Sequence, residues 1–529
     1  ERPTIVKLAG HFMDALREIV AHCHAPESGG YTPSDFSEPG LNQNDIDVVI
    51  ASLRHGEGSK ARDEENAEDM YSLSPLQEGM LFHSLTSPRS DAYFRQFSFA
   101  IKGTLNVEAF ERAWLQVISR HPALRTSFFW QGVRKPLQMV HKRVILNMEQ
   151  RDWRDLTPSQ QAGQLEDFSL AERERGFDLS KPPLMRLALI RMGDDSYRFV
   201  WSYHHLVMDA WSRASLYREV LSLYEATRQG LDSRLGPTHP YGEYIAWLRA
   251  QDRSKADIFW RKMLKGFTAR TRIGGAATDD EREYENKMAA EEIRLTATAT
   301  SALRSFAQQQ KLTLNTLVQG AWSLLLSCYS GQQDIAFGTV VSGRPAELKG
   351  VESIVGAFIN TLVMRVQVPI SARLLSWLKE IQLLQLEMSQ YEFSQLVEAQ
   401  RCSDVPRGTP LFDSVLNFAN HPPFASTESP GSALEIADVR FSEDNPYPLV
   451  VQASPGPELS LRITYNGRRF DAQFIKGMLA RMLQLLESFA ENPERRLRDL
   501  MFFKDDIGVL SDESSDNQDA NDVDAQFVF

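Results

Sequence analysis

The chain has 529 residues, 42% hydrophobic and 24% charged, with a formal net charge of −12. This is a globular composition, long enough for two or more packed lobes; the acidic balance argues against a nucleic-acid binder, which usually shows a basic patch, and no window reaches the ~20 apolar residues of a membrane span. Cys23, Cys328 and Cys402 are too scattered for a disulfide framework or a zinc knuckle, so a reducing cytoplasm is the expected setting.

Residues 6–24, "VKLAGHFMDALREIVAHCH", have helical apolar spacing and lead into the turn-rich "APESGGYTPSDFSEPG". No signal-peptide pattern is present, and the chain starts mid-helix in character, as an excised fragment would. Residues 52–69, "SLRHGEGSKARDEENAED", are charge-dense and read as an exposed linker, and 511–523 as an acidic tail. Between them, over roughly 70–505, strand and helix patterns alternate. "AYFRQFSFAIKG" (92–103) predicts a strand and "NVEAFERAWLQVISRH" (106–121) a helix. "LMRLALIRMG" and "YRFVWSYHH" predict two successive strands, and 212–230 an amphipathic helix ended by glycine. The second half repeats this alternation, with helices over "ATSALRSFAQQQKLTLNTLVQGAWSLLLSCYSG", then strands at "DIAFGTVVSGR" and "NTLVMRVQV". The physical reading is a mixed α/β fold with two similar halves.

"SYHHLVMDAWS" (202–212) is the stretch richest in chemistry. The strand before it should run out near His205, leaving "LVMD" as a turn into a helix that Asp209 or Ser212 could cap. A strand-end histidine and a helix-start aspartate can converge on a cleft. For an isolated HHxxxD, however, two structural histidines and a capping aspartate are the commoner arrangement. A metal site would need further ligands, and neither HExxH nor a Cys/His cluster occurs. The chain also lacks the GxSxG elbow of hydrolases and the Walker or GxGxxG loops of nucleotide sites.

The company of this stretch changes its weight. "SYHHLVMDAWS" resembles the HHxxxDG signature of condensation domains of non-ribosomal peptide synthetases. Further blocks resemble that family in order: "YSLSPLQEGMLFHSL" (71–85), "RHPALRTSF" (120–128), "YGEYIAWL" (241–248), "VGAFINTLVMRV" (355–366) and "YNGRRFD" (465–471). The resemblance implies two chloramphenicol-acetyltransferase-like lobes in a V-shaped pseudo-dimer with a tunnel between them, an N-lobe over 70–250 and a C-lobe over 251–505. Residues 1–47, with "GGYTPSDF" (29–36), resemble the closing segment of an epimerisation domain. The implied organisation is therefore an epimerisation remnant (1–50), a linker (51–69), the two lobes, and an acidic tail (506–529). The "SPLQEGMLFH" block is also the form seen in relatives that take a D-configured donor. Epimerisation domains themselves continue the double histidine differently, heterocyclising relatives replace it with aspartates, and Tyr203 stands where β-lactam-forming relatives carry a third histidine.

The activity so implied is peptide-bond formation. The amine of an aminoacyl thioester on a downstream carrier attacks a peptidyl thioester, with D-donor and L-acceptor configuration, on an upstream carrier. Phosphopantetheine arms would be delivered by partner carrier domains, no cofactor being held covalently. Neighbouring epimerisation and adenylation domains of the same synthetase are the expected partners, with no nucleic acid or membrane. The resemblance gives His205 the central place, as base or as a group that aligns the amine. His204 and Asp209 support it, with Arg344 of "VSGRP" the partner of Asp209 and Arg125 a structural ion-pair residue. Ala210, Trp211 and Asn417 are implied tunnel or substrate residues, while Asn360 and Thr361 read as a structural pair. Ala210 departs from the family's glycine, which raises two readings: a strained positive φ, or one extra methyl group. The competing function is a catalytically silent relative that recruits other proteins; retention of His205 argues against it.

Overall fold

The computed structural model describes residues 2–23, 30–54, 66–86, 93–231, 235–274, 288–419, 434–443 and 447–501. The expected acidic tail and 55–65 of the expected linker lie outside them. From the N-terminus come α1 (Arg2–Cys23), α2 (Gln43–Arg54), β1 (Ala67–Ser72), α3 (Pro75–Thr86), β2 (Phe94–Lys102) and α4 (Val107–Arg120). Next are β3 (Thr126–Phe129), β4 (Leu137–His141), β5 (Met148–Asp152), α5 (Pro158–Arg175), β6 (Met185–Gly193), β7 (Ser196–His204) and α6 (Ala210–Gln229). The chain continues through α7 (Tyr241–Arg249), α8 (Arg253–Leu264), β8 (Met288–Arg294), α9 (Ala297–Gln310), α10 (Leu314–Ser330), β9 (Asp334–Val341) and β10 (Asn360–Gln367). It closes with α11 (Leu374–Met388), α12 (Leu396–Gln400), β11 (Ser414–Phe418), β12 (Glu435–Glu443), β13 (Leu449–Ser454), β14 (Ser460–Asn466) and α13 (Ala472–Glu491). These elements form two compact units.

The smaller unit comprises residues 1–73, 125–145 and 178–184. Its antiparallel sheet has the order β1-β4-β3. Ala67, Met70, Phe129, Leu137 and Met139 of this sheet share one core with Phe36, Leu41, Ile46 and Val49. Segment 30–54 is thus built into the sheet's core. Tyr31 Oη donates to the Ala67 carbonyl at 3.0 Å, and Arg134 Nε meets Asp45 Oδ2 at 3.0 Å. The expected linker boundaries shift accordingly: Ser52 and Leu53 belong to α2 and Ala67–Asp69 to β1. Charge density hid the strand, because Glu68 and Asp69 are committed inside the unit. Glu68 pairs with Arg125 at 2.6 Å, and Asp69 accepts from the Ser37 backbone N–H at 2.9 Å. By contrast α1 is exposed along its described side chains, including Ile5, Leu8, Phe12 and Ile19.

The larger unit carries two sheets, one five-stranded in the order β12-β2-β7-β6-β5, the other six-stranded in the order β10-β9-β11-β13-β14-β8. The mixed α/β expectation holds, with one sheet for each half. Alternation places Phe199 against Phe110 and Trp114 of α4 and Trp201 against Trp114, with Phe99 packed on Phe199. Thr313 caps α10, and residues 316–327 of that helix are all buried, which accounts for its long apolar run. A Cβ on Gly320 would meet Leu378 at 2.5 Å, so glycine lets α10 and α11 approach closely. The halves interleave: β12, from the second, pairs antiparallel with β2 of the first. Arg198 holds this added strand through the Asp438 carboxylate at 2.8 Å. Among the described residues no helix is long and apolar enough to cross a membrane.

Ile46, 1% exposed in the core of the smaller unit, generates a stability prediction. Ile46→Ala is expected to cost about 2–5 kcal/mol, read as faster amide exchange in β1 and β4. Ile5→Ala on exposed α1 should stay within about 0.5 kcal/mol in the same measurement.

Candidate active site

Strand β7 ends at His204, as the pattern predicted, and pairs along its length with β2, so that Phe94 faces His204 and Arg95 faces Tyr203. Just beyond the strand the His205 N–H donates to the Tyr93 carbonyl at 2.9 Å, extending the pairing by one residue. The chain then turns through Leu206–Met208, and Asp209 caps α6 by accepting the Ser212 N–H at 2.7 Å. This is a strand-turn-helix corner whose geometry is set by backbone bonds rather than by long side chains.

The two histidines differ in environment. His204 is buried, its Nδ1 accepting the Leu206 N–H at 3.2 Å, its ring 6.2 Å from Tyr93 and 6.4 Å from Phe177. Burial, then the charges of His205 and Arg95, pull its pKa down to about 3. His205 is half-buried. Its Nδ1 is enclosed without a hydrogen bond, which leaves Nε2 as the nitrogen able to meet a substrate. Burial, then the Arg95 guanidinium, lower its pKa to about 4, against the pull of Asp209 and of the His205 and Met208 carbonyls. Both rings are therefore uncharged at neutral pH.

Asp209 and Arg344 meet at 3.3 Å through Arg344 Nη2, with side chains only 4% and 5% exposed. Arg344 does more than neutralise the carboxylate. Its Nη1 donates to the carbonyls of Val351 (2.7 Å) and Ile354 (2.9 Å), and its Nη2 to Ser212 Oγ (3.0 Å). Ser212 Oγ in turn donates to the Gly356 carbonyl and accepts the Gly356 N–H, at 3.0 and 3.1 Å. Asp209 also accepts the Phe358 N–H at 3.3 Å, and its own N–H donates to the Gly356 carbonyl at 3.1 Å. The Arg344 guanidinium lies 4.0 Å over the Phe358 ring. The corner after β7 is thereby fastened to segment 351–358.

The remaining sequence-predicted residues fall into place unevenly. Ala210 is the first residue of α6 and is not among the positive-φ residues, so the strained reading of its alanine does not apply. Trp211 donates its indole N–H to the Glu352 carbonyl at 3.1 Å and turns toward the same fastened segment. Asn417 sits half-buried on β11 beside Gln452, and no bond ties it to the histidine corner. Arg125, in the smaller unit, pairs with Glu68 and donates to the His141 carbonyl. Asn360 ties β10 to the carbonyls of Glu392 and Ser394, at 2.7 and 2.8 Å.

Three contributors were not singled out from the sequence. Gln77 of α3 donates to the Leu206 carbonyl at 2.9 Å, fixing the turn from the other side; it lies inside the quoted "SPLQEGM" block, the one available signal. Ser212 was read only as a possible cap, yet its hydroxyl carries three bonds. Tyr93 supplies a carbonyl, a role invisible to residue type. Among the described residues no cluster of three His, Cys, Asp or Glu side chains could hold a metal ion.

This geometry can be set beside known proteins. A family profile described as "Condensation domain" matches residues 67–506. A linear gramicidin synthase polypeptide of Brevibacillus parabrevis is 42% identical over 515 residues, 95% of this chain and 10% of that protein. Surfactin synthase subunit 3 of Bacillus subtilis (strain 168) is 34% identical over 433 residues, 82% of this chain and 34% of that protein. The chain thus spans about a tenth of the gramicidin synthase polypeptide. The fold is shared with the first condensation domain of the calcium-dependent antibiotic synthetase, solved with a substrate analogue: TM-score 0.66, 16% identity, 82% of this chain and 99% of that one. It is shared also with the X-domain from teicoplanin biosynthesis, with TM-score 0.65, 21% identity, and coverage of 81% and 96%. With the fastened double-histidine corner inside the matched region, the chain belongs to the condensation-domain family, the amide-forming domains of non-ribosomal peptide synthetases.

Proposed function

We propose that this chain joins a peptidyl thioester on an upstream carrier to the amine of an aminoacyl thioester on a downstream carrier, at Nε2 of His205. The observation that carries this reading is the uncharged His205 ring, its Nδ1 enclosed and its backbone fixed to Tyr93. Both substrates arrive on phosphopantetheine arms of partner carrier domains in the same synthetase, in the cytoplasm.

The lowered pKa of His205 supports one of its two roles over the other. An α-ammonium group titrates near ~8, well above an imidazole that burial pulls down to about 4, so moving its proton to His205 is uphill. His205 is therefore a poor base for the resting ammonium. It accepts a hydrogen bond from the free amine, aligns it on the thioester carbon, and takes the proton once attack makes that nitrogen acidic. The proton then passes to the departing thiolate. His204 holds the turn through Leu206, and Asp209, Arg344 and Ser212 fix the corner; none of these needs to touch substrate. Ala210 and Trp211 shape the approach to His205, and Ala210 narrows it by one methyl group relative to glycine. Arg125 serves its own unit's fold, while Asn417 is a distant lining residue.

The donor's terminal residue is D-configured in this reading, supported by the "SPLQEGMLFH" block and by segment 1–50. The apolar positions of α1 (Ile5, Leu8, Ala9, Phe12, Leu16, Ile19) repeat the spacing of buried Ile475, Met478, Leu479, Met482, Leu486 and Phe489 of α13. In α13 those positions pack on α10, α9 and β8. An exposed helix with the same pattern fits the closing helix of a preceding lobe of this fold, here an epimerisation domain. Segment 30–54 then joins that lobe to the condensation domain, and an adenylation domain completes the neighbourhood.

The primary test mixes two loaded carriers with the protein and follows dipeptide by mass spectrometry. Product with the native chain and at most a trace with His205→Ala is expected; equal product from both removes His205 from the reaction. The rate should rise with pH through about 8, following the acceptor amine, with no inflection near 6.5. An inflection near 6.5 that vanishes in His205→Ala would restore the base role. D-terminated donors should react at least about tenfold faster than L-terminated ones, and equal rates overturn the assignment. Asp209→Ala leaves the Arg344 charge buried and unpaired, an expected cost of about 3–5 kcal/mol in chemical denaturation with loss of dipeptide formation.

A further inference from the structure

Two supports grip the turn that follows His205, and they come from different halves of the larger unit. Gln77 of α3, in the first half, donates to the Leu206 carbonyl at 2.9 Å. Arg344, in the second, pairs with Asp209 at the other end of the turn. A turn held at both ends is fixed only if its two supports are fixed relative to each other. The connection between them runs through the loop 389–395, which links α11 to α12.

At one end of this loop Glu392 Oε2 accepts the Gly343 N–H at 3.1 Å, just ahead of Arg344. Gly343 has φ +62°, and a Cβ there would collide with the Phe358 carbonyl, so only glycine fits. The Phe358 N–H in turn donates to Asp209 at 3.3 Å. At the other end Gln395 Nε2 donates to Glu78 Oε2 at 3.2 Å, beside Gln77 on α3. Gln77 is itself locked, its Oε1 accepting the Ser74 N–H at 3.0 Å. The loop between is braced. The carbonyls of Glu392 and Ser394 both accept from Asn360 Nδ2, Tyr391 stacks on Phe259 at 4.7 Å, and Phe393 meets Trp247 edge-on at 6.2 Å. The path from Leu206 to Asp209 therefore closes into a ring through Gln77, Glu78, Gln395, Glu392, Gly343 and Arg344.

We propose that Glu392 and Gln395 are positioning residues, which hold the supports from the two halves at one separation and thereby fix where His205 Nε2 meets the amine. Neither touches substrate. The inference rests on the peptide-forming reading above. Its leverage is geometric, since a displacement of about 1 Å at a reacting group costs about 100-fold in rate. It also gives the Asn360 side chain a task at the site, stiffening the loop that joins the supports.

The test compares wild type with Gln395→Ala, Gln395→Glu and the reciprocal pair Glu78→Gln with Gln395→Glu, which restores one donor facing one acceptor in the reverse direction. Dipeptide formation is followed with both loaded carriers. Hydrogen exchange is followed at the His205 and Asp209 N–H groups, which bond Tyr93 and Gly356. Gln395→Ala and Gln395→Glu should each lower kcat about 5–20-fold, with KM for both carriers within about twofold. Exchange at both N–H groups should rise at least about fivefold. The reciprocal pair should return both readouts to within about threefold of wild type. Glu392→Ala should reproduce the losses, whereas Glu392→Gln, which keeps an acceptor for Gly343, should not. Unchanged kcat and exchange in Gln395→Ala, a loss in KM rather than kcat, or no recovery in the reciprocal pair overturns the proposal. Exchange needs no turnover, so the two readings fail separately. No dipeptide from wild type with any carrier pair removes the peptide-forming reading, while unchanged exchange in Gln395→Ala removes the ring.

Discussion

Asp209, Arg344 and Ser212 form the tie on which the site depends. Each has a buried side chain that bonds backbone groups of segment 351–358. A buried ion pair of this kind adds little net stability over a well-packed apolar replacement, because desolvation offsets most of the attraction. Its contribution is positional. Removing either partner leaves a charge without water, so the corner has one low-energy arrangement, and His205 is held four residues before the cap.

Sheet geometry and this tie divide the labour between adjacent histidines. Alternation along β7 sends consecutive side chains to opposite faces, putting His204 among Tyr93 and Phe177. His205 comes one residue later, where the strand has ended, and keeps a nitrogen accessible. The same sequence pair thus yields one ring that anchors a turn and one that meets solvent. Neither carries charge at neutral pH, since burial is the largest influence on both and outweighs the Asp209 carboxylate beside His205.

Much of this was legible in the residues. The ends of β7, the cap at Asp209 and the strands and helices flanking it follow from periodicity and from one aspartate before a helix. The Asp209–Arg344 contact, 135 residues apart, came only through the family resemblance, since spacing carries no information about such a pair. Three features escaped for identifiable reasons. Strand β1 was masked by Glu68 and Asp69, acidic residues satisfied inside the fold. Strand β12 joins the other half's sheet, a pairing that local pattern cannot indicate. Tyr93 acts through its carbonyl, which every residue possesses.

The alanine at position 210 shows how a departure from a pattern is settled by local geometry. Glycine would matter if the backbone needed a positive φ, and Ala210 instead opens α6 in ordinary helical conformation. At such a position alanine is the better helix former, by about 1 kcal/mol in a helix interior, and it narrows the unfolded ensemble. The rigidity so gained falls one residue after the cap that sets His205. What alanine adds is a methyl group at half-buried depth, without a positive φ to strain the corner that holds His205.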